Sequence, residues 1–531
     1  MKNRIRHLIE RILPGNPALD RIAELCMEAA GEGGNGDVCT QINDNSDLEK
    51  LKSATSLISQ GQESSLAPFI LDGDLLYTRR NWKYEKSIAE RLKILCESEE
   101  NHSEEDKEKI KRELGNTKLN DVQKKAAYLM NTSRFSIITG GPGTGKTYTF
   151  AKAVKIARSI NKEMKILFAA PTGKAAARMS ESLSNSDLNE TIPSATTLHK
   201  LIGVSPSRPK PKKANDNPID VDWLIVDESS MIDLSIMAKL LAALPENARL
   251  TLIGDANQLA SVERGRVFGD LCAASWAQAK IIRLEESRRF EHGGEIDLFS
   301  RAINDGDGNR VLDIIKGVKD KLVYRVLGDN DFTSPSCWKN FKQLATESFG
   351  EFLSSKTPQE ALSHINDFRV LTADRIGSFG CNKINEYLLK LFAASLDRPL
   401  KPIPIMITRN DNMLHVANGD IGVIMPSDPG IVNLPALDEM KEDKDSIRRI
   451  PLALLENEEI AFASTIHKSQ GSEFDNVAII LGIKKDSPLL TREILYTGIT
   501  RTRNKVYLYA NDETVVQCCN CATARVSGLK R

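Results

Sequence analysis

Phe135-Ser136-Ile137-Ile138-Thr139 runs straight into Gly140-Gly141-Pro142-Gly143-Thr144-Gly145-Lys146-Thr147, and helical sequence follows. The octet fits G-x-x-x-x-G-K-[ST] in a strand–loop–helix context. Glycines let the backbone N–H groups turn inward around the β and γ phosphates of a nucleotide. Lys146 supplies a point charge and Thr147 a magnesium ligand. A glycine-rich turn without a ligand is the plain alternative, and the flanking strand and helix argue against it. This stretch predicts a parallel α/β sheet with a phosphate site at its carboxyl edge.

Further strands support that sheet. Ile166 to Ala170, Trp223 to Val226 and Leu250 to Ile253 are short apolar runs, each followed by a loop rich in Gly, Asp, Thr or Ser. Their loops should converge on one site, because ligands of open parallel sheets bind at the carboxyl ends of the strands. Leu224-Ile225-Val226 delivers Asp227-Glu228 to that edge. An acidic pair after a strand is ordinarily a turn or a helix cap. One strand away from a phosphate loop, Asp227 suits the magnesium shell, and Glu228 is free to orient and deprotonate an attacking water. Nucleoside triphosphate hydrolysis is the economical reading.

Such chemistry also needs positive charge and a γ-phosphate sensor. Gly254-Asp255-Ala256-Asn257-Gln258-Leu259 ends another strand and would set Gln258 beside the phosphate. Arg288-Arg289 and Arg501 fall in a second lobe, from which they could reach across a cleft as arginine fingers. Isolated arginines are more often surface charges. Gln123, in Leu119-Asn120-Asp121-Val122-Gln123, could read the adenine edge, with an exposed helix glutamine as the bland alternative.

The whole chain sets the frame for these motifs. Its 531 residues carry 72 Lys+Arg against 72 Asp+Glu, with 41% hydrophobic and 27% charged residues. That composition excludes collagen-like, strongly disordered and disulfide-scaffold proteins. The length suggests roughly three to four folded units. Zero net charge means that any polyanion is held by local patches and backbone N–H groups rather than by an overall field. The opening stretch MKNRIRHLIERILPGN lacks the apolar core of a secretory signal. No run approaches the ~18 to 20 apolar residues of a membrane span, so a cytoplasmic protein with no membrane contact is expected. Nine cysteines in such a chain are most simply reduced thiols. Cys518, Cys519 and Cys521 cluster without a second pair or a His at ligand spacing, so no zinc site is expected there.

Residues 1–110 read as a small leading domain, with a GEGGNGD stretch at Gly31 to Asp37 and a hairpin turning at Asp72-Gly73. A helix carrying Trp82, Ile88, Ala89 and Leu92 should follow it, and then a charged run from Ser103 to Leu114 that begins with a helix-start signal and reads as a solvated connector. Residues 111–287 form the first α/β lobe, with a small insertion at about 203–219. Residues 288–531 form a second lobe with strands at Arg369 to Leu371, Val477 to Leu481 and Lys505 to Tyr509. A β module at about 400–460 is inserted in it. Within the first insertion, Pro206-Ser207-Arg208-Pro209-Lys210-Pro211-Lys212-Lys213 is a stiff basic loop suited to a phosphate backbone, and equally consistent with a solvated loop.

Taken in order, LNDVQ, GGPGTGKT, FAAPTGKAAARM, TLHKLIG, LIVDESSMID, LIGDANQLASVERG, LEESRRF, FASTIHKSQGSEFDNVAIIL and LYTGITRTR make a series that resembles superfamily 1 DNA helicases of the RecD-like branch. The likeness runs from about residue 69 onward, through PFILDGDLLYTRRNWKYEKSIAERL and PIMITRNDNMLHVANGDIGVIM; the first 65 or so residues match only loosely. The resemblance implies two RecA-like P-loop lobes, an SH3-like inserted β module and a leading domain that docks partners. It implies ATP with Mg2+, Gln123 at the adenine, and residues 140–147 around the phosphates. Asp227 and Glu228 would bind metal and activate water, Gln258 would sense the γ phosphate, and Arg289 and Arg501 would serve as fingers, with Arg288 one position away. The DNA contacts it implies are Thr172, Gly173, His199, Thr465, His467 and Ser469. Hydroxyls, imidazole and backbone N–H groups of that kind grip phosphates without reading sequence. His199 and His467 taken alone would be ordinary loop or core histidines.

The same resemblance implies 5′→3′ movement on single-stranded DNA. It also implies a heterotrimer with RecB-like and RecC-like chains, the exodeoxyribonuclease V complex, which unwinds and degrades broken duplex ends for recombinational repair. No nuclease carboxylate constellation stands out in this chain, so nuclease activity is expected only through the complex. A stand-alone RecD-like helicase and a non-translocating ATP-gated assembly subunit are the alternatives.

Overall fold

The computed structural model describes residues 2–31, 36–61, 66–98, 102–184, 193–205, 209–290, 293–317, 320–326, 335–392, 399–411, 413–436, 446–482 and 487–531. Pro206, Ser207 and Arg208 of the basic loop, and Glu32 to Asn35 of the glycine-rich stretch, lie outside them.

The leading unit is a four-stranded sheet in the order Cys39–Gln41, Leu75–Thr78, Phe69–Asp72, Ile58–Gln60. Its central hairpin turns at Asp72-Gly73, where Gly73 takes φ 62°, the left-handed value that a tight primed turn requires. The expected helix follows as Arg79–Glu97, capped by the Thr78 hydroxyl, which accepts from the Asn81 N–H. Trp82, Ile88, Leu92 and Leu95 form its buried stripe. The helix start read at Ser103 opens the helix Glu104–Gly115, which is packed on the first lobe and not a solvated connector. Ser103 and Asp106 form its capping box, and Ile110 and Leu114 are buried with Ala126, Met130 and Phe150.

Six parallel strands form the first lobe, in the order Ile281–Leu284, Phe135–Gly140, Arg249–Gly254, Trp223–Val226, Ile166–Ala170, Thr196–Thr197. Phe135 to Thr139, Trp223 to Val226 and Arg249 to Gly254 are buried throughout, as expected for a sheet covered on both faces. The phosphate-loop strand therefore lies inside the sheet. Its edge-side neighbour is Ile281–Leu284, which has no counterpart among the strands read from sequence.

A second sheet of five parallel strands follows the order Leu322–Val326, Thr502–Ala510, Phe474–Leu481, Phe368–Thr372, Ala463–Thr465. Between its last two members in space the chain makes a five-stranded antiparallel sheet, in the order Ile447–Pro451, Asp428–Pro435, Ile421–Met425, Ile403–Ile407, Glu458–Ile460. Gly419, at φ 95°, makes the turn into its second strand. This sheet shares one apolar core with the second lobe, since Ile405, Val423 and Leu434 cluster with Phe368, Phe462 and Tyr509.

After the helix Asp512–Asn520 the chain leaves the second lobe and crosses back. Thr523 donates to Glu493 Oε2, and Arg525 Nη1 to the Glu263 and Gly265 carbonyls of the first lobe. Val38 and Val526 are joined N to O at 3.0 Å. Ser527 Oγ and the Gly528 N–H donate to buried Glu85 at 2.8 Å each. Lys530 Nζ stands 3.1 Å from Asp270, and Leu529 joins the core that contains Val38, Tyr77 and Trp82. Cys518 and Cys519 are buried in the second lobe and Cys521 is exposed. Burial pushes the Cys518 thiol upward and the Cys519 thiol to about 12.

Candidate functional site

The loop between Phe135–Gly140 and the helix Lys146–Ile160 is held open by two left-handed glycines, Gly143 at φ 77° and Gly145 at φ 80°. A side chain at either would collide: a Cβ on Gly143 would lie 2.4 Å from Arg289 Cβ, and one on Gly145 would lie 2.5 Å from Gln123 Nε2. Lys146 Nζ donates to the Gly140 and Gly141 carbonyls at 2.7 and 2.9 Å, and Thr144 Oγ1 to the Gly141 carbonyl at 2.9 Å. The Pro142 and Gly143 carbonyls accept from Ser287 Oγ and the Arg288 N–H. Thr147 lies in the first turn of the helix, at its positive end.

Gln123 lies against this loop, 2% exposed. Its Oε1 accepts from the Asn120 N–H in a capping box, and its Nε2 donates to the Thr144 carbonyl at 3.0 Å. In this conformation the amide braces the loop instead of facing outward, because the helix cap and the loop carbonyl take both of its ends.

Asp227 follows the strand Trp223–Val226, which Arg249–Gly254 separates from the phosphate-loop strand, and its Oδ1 accepts the Glu228 N–H at 2.8 Å. Burial, with Glu228 as a like charge, raises its carboxyl to about 6, while Lys146 pulls the other way. Glu228 adopts φ 50°, ψ 37°. Glu228 and His415 are the only non-glycine residues with positive φ among the described residues. Asp227 and Glu228 bring two carboxyls to one strand end, with Lys146 in electrostatic range of Asp227, and a hard divalent cation prefers such oxygens. Thr147 and Asp227 carry the oxygens that would hold it.

Asp255 stands on the adjacent strand end, 2% exposed, accepting from the Asn257 N–H, Gln258 Nε2 and Tyr496 Oη at 3.0, 3.1 and 3.0 Å. Gln258 is thus turned toward Asp255 and buried. Leu259, next in the chain, receives the second lobe directly, its N–H donating to Thr497 Oγ1 and its carbonyl accepting from Gln470 Nε2.

The two finger candidates arrive by different routes. Arg501 comes from the second lobe and is 3% exposed; its guanidinium spans the Thr497 and Ser472 carbonyls at 3.1 and 3.4 Å, within electrostatic range of Glu228. Arg289 does not come from across the cleft. It follows Ile281–Leu284, the strand beside the phosphate loop, and its Cβ packs over Gly143. Arg288 is exposed, whereas Arg289 is partly buried and pairs with Glu473 at 2.6 Å.

Glu473 was not singled out from the sequence. Its Oε1 also accepts from Arg178 at 2.7 Å, and its Oε2 from Arg503 Nε at 3.3 Å. Burial opposes its ionisation, but Arg178 and Arg289 prevail and hold the carboxyl down to about 2.

Of the expected DNA contacts, Thr172 precedes and Gly173 begins the helix Gly173–Ser184; Thr172 faces Gly471, whereas Gly173 faces Ala417. Gly471 comes within 4.0 Å of Thr172 Oγ1 by its absent Cβ, and its carbonyl accepts from Arg178 Nη1. Thr465 Oγ1 accepts the Lys468 N–H, and burial beside Arg525 lowers the His467 pKa. Ser469 is 1% exposed and donates its hydroxyl to the Ile466 carbonyl, so in this conformation it shapes the loop from inside. His199 is exposed on the short helix Leu198–Ile202, apart from the Thr172–Gly471 contact. Of the basic loop, Pro209 to Lys213 are described, and the Lys212 and Lys213 N–H groups both donate to the Ile202 carbonyl. Lys174, missed in the sequence reading, lies between Arg178, Arg369 and Asp420; burial first, and then the two arginines, push it down to about 8.

Two family models match the chain, the AAA domain over residues 123–264 and the UvrD-like helicase C-terminal domain over residues 460–509. The RecBCD enzyme subunit RecD of Mycobacterium tuberculosis is 32% identical over 482 residues, which takes in 87% of this chain and 80% of that protein. The ATP-dependent RecD2 DNA helicase of Deinococcus radiodurans is 27% identical over 385 residues, covering 70% of this chain and 46% of that one. A solved structure of Bacteroides Pif1 bound to single-stranded DNA aligns with a TM-score of 0.41 at 16% identity, over 74% of this chain and 92% of that one.

Proposed function

The chain belongs to the RecD family of RecBCD enzyme subunits, and on that premise we propose that it is the ATP-driven 5′→3′ single-stranded DNA translocase and helicase of such a complex. The observation that carries the reading is the convergence at one cleft of the Lys146 loop, the Asp227-Glu228 strand end, and arginines from both sides.

ATP is bound by the 140–147 loop, whose N–H groups and Lys146 face the phosphates. Thr147 and Asp227 would hold Mg2+, which would supply positive charge to the phosphates. Glu228 accepts a proton from the attacking water. Gln258 orients the reacting phosphate, and Arg289 and Arg501 stabilise the charge that develops on it. Because Arg501 belongs to the second lobe, hydrolysis depends on the lobes being together. The proposed DNA grip includes Thr172, Gly173, Thr465 and His467; the approach of Thr172 to Gly471 across the lobes supports a coupling of closure to that grip.

The partners are RecB-like and RecC-like chains, and degradation of the unwound DNA belongs to them. Coverage favours this over a stand-alone enzyme: the chain spans 80% of a RecD subunit but 46% of a RecD2 helicase. The test is ATP hydrolysis with and without single-stranded DNA, and unwinding of 5′- and 3′-tailed duplexes, with and without co-expressed partners. Stimulation by DNA and a preference for 5′ tails are expected. Equal hydrolysis with and without DNA would overturn the reading.

A further inference from the structure

Arg289 is anchored at both ends of its side chain. Its Cβ lies over Gly143 of the phosphate loop, and its Nη2 donates to Glu473 Oε1 at 2.6 Å. Its remaining terminal nitrogen, Nη1, is buried and has no hydrogen-bond partner within the protein. A buried guanidinium N–H without an acceptor is costly, and here it belongs to a side chain whose base packs on a loop built for phosphate oxygens. The guanidinium is thus held by one arm with the other free to donate.

Glu473 is well built to hold that arm. It precedes the strand Phe474–Leu481, so the second lobe fixes its backbone, and it is flanked by Arg178 of the first lobe and Arg503 of the second. Three guanidinium groups converge on one carboxylate, and Arg501 lies within electrostatic range of it. Without Glu473 these arginines would repel one another, and Arg289 would regain the rotamer freedom that the pair removes. Pre-orienting a donor for a charge that develops later is how such groups lower barriers.

We propose that Glu473 is a positioning residue for ATP hydrolysis, fixing Arg289 so that its unpaired Nη1 meets the transferring phosphate only when both lobes are in register. The inference rests on the hydrolytic reading above. Glu473 does not touch the nucleotide in this account; it acts through Arg289, and through Arg178 it senses the position of the first lobe.

The test is a double-mutant cycle in the full chain, with kcat and KM for ATP measured at saturating single-stranded DNA. Glu473→Gln keeps an acceptor and loses the charge. It should lower kcat roughly tenfold while KM moves less than about threefold, the signature of an interaction used in the transition state. Arg289→Ala should lower kcat by about a hundredfold. In the Arg289→Ala background Glu473→Gln should add less than about twofold, because the group it positions is gone. Glu473→Asp, tested in the same cycle with thermal melting alongside, covers the case in which the amide variant folds poorly, and should recover part of kcat. Multiplying losses would overturn the inference, as would an unchanged kcat in Glu473→Gln; either outcome leaves the hydrolytic reading standing. Failure of that reading shows separately, as turnover in Lys146→Gln equal to that of the unsubstituted chain.

Discussion

Tyr496 of the second lobe donates its hydroxyl to Asp255 of the first, Oη to Oδ2 at 3.0 Å, in a setting that is buried on both sides. The same Oη lies 2.9 Å from where a Cβ on Gly141 would stand, so the bond passes directly over the phosphate loop. Asp255 also receives Gln258, the candidate phosphate sensor. Removal of the hydroxyl in Tyr496→Phe leaves Asp255 two of its three donors and loses about 1 kcal/mol of closure energy. DNA-stimulated kcat should fall about fivefold while the melting temperature changes by no more than a few degrees. Steady-state ATP hydrolysis with a parallel melt measures both.

Lys146→Gln removes the charge that now bridges the Gly140 and Gly141 carbonyls. Hydrolysis should drop at least about a hundredfold, with circular dichroism and melting unchanged. Turnover within a few-fold of normal would refute the phosphate-loop assignment. Glu228→Gln should behave differently, binding ATP with near-normal affinity in a fluorescent-nucleotide titration while failing to turn it over.

Glu228 carries a separate prediction about its backbone. At φ 50° an L-residue bears about 1 kcal/mol or more of strain, and a β-branched one bears more. Glu228→Gly should leave the melting temperature unchanged or higher, and Glu228→Val should lower it by the equivalent of about 1–2 kcal/mol. Neither should hydrolyse ATP. Differential scanning calorimetry of the pair decides it; equal stability would mean that the left-handed turn is not retained in solution.

We expect Lys174 to give single-stranded DNA binding a pH dependence. Its pKa in the folded chain is lowered to about 8, against an ordinary lysine near 10.4. The protein thus sheds this charge as pH rises through about 8, and a nearby DNA phosphate restores it by raising the pKa. Single-stranded DNA affinity should weaken progressively from pH 8 to 10, with proton uptake on binding in that window. Lys174→Arg should flatten the profile. Fluorescence anisotropy at constant ionic strength measures it; a flat profile for the unsubstituted chain would exclude Lys174 from the grip.

Which features could be read from sequence follows from range. Gly140 to Thr147 and Asp227-Glu228 are local patterns: a buried apolar strand and a loop of fixed chemistry, needing no knowledge of what packs on them. The Asp72-Gly73 hairpin and the Arg79–Glu97 helix were legible for the same reason. Ile281–Leu284, Thr196–Thr197 and Ala463–Thr465 were not, because, unlike the equally short Trp223–Val226, they are not apolar throughout and exist by pairing with a neighbour. Glu473 and Tyr496 lay in plain view inside GSEFD and LYTGITRTR. Their partners Arg289 and Asp255 are 184 and 241 residues away, and nothing local reports such a pairing. Arg289 was placed on the wrong side of the cleft for the same reason, since the strand that delivers it went unread.

The crossing segment that ends in Val526 to Lys530 bears on how the chain is made. Glu85 and Ser527 are 442 residues apart, and Leu529 completes the core around Tyr77 and Trp82. At a synthesis rate of roughly 5–20 residues per second, the leading unit waits about 20 to 90 s for its last piece. During that interval the carboxyl of Glu85 lacks two of its hydrogen-bond donors, and a buried surface stays open to chaperones, to proteases and to any partner chain already present. Ribosome-bound chains halted before residue 520 should therefore be cleaved by added protease within their first 98 residues, and chains carried past residue 530 and released should resist. For this protein, assembly with a partner could begin before the polypeptide is finished, on a domain whose own closing residues have yet to be translated.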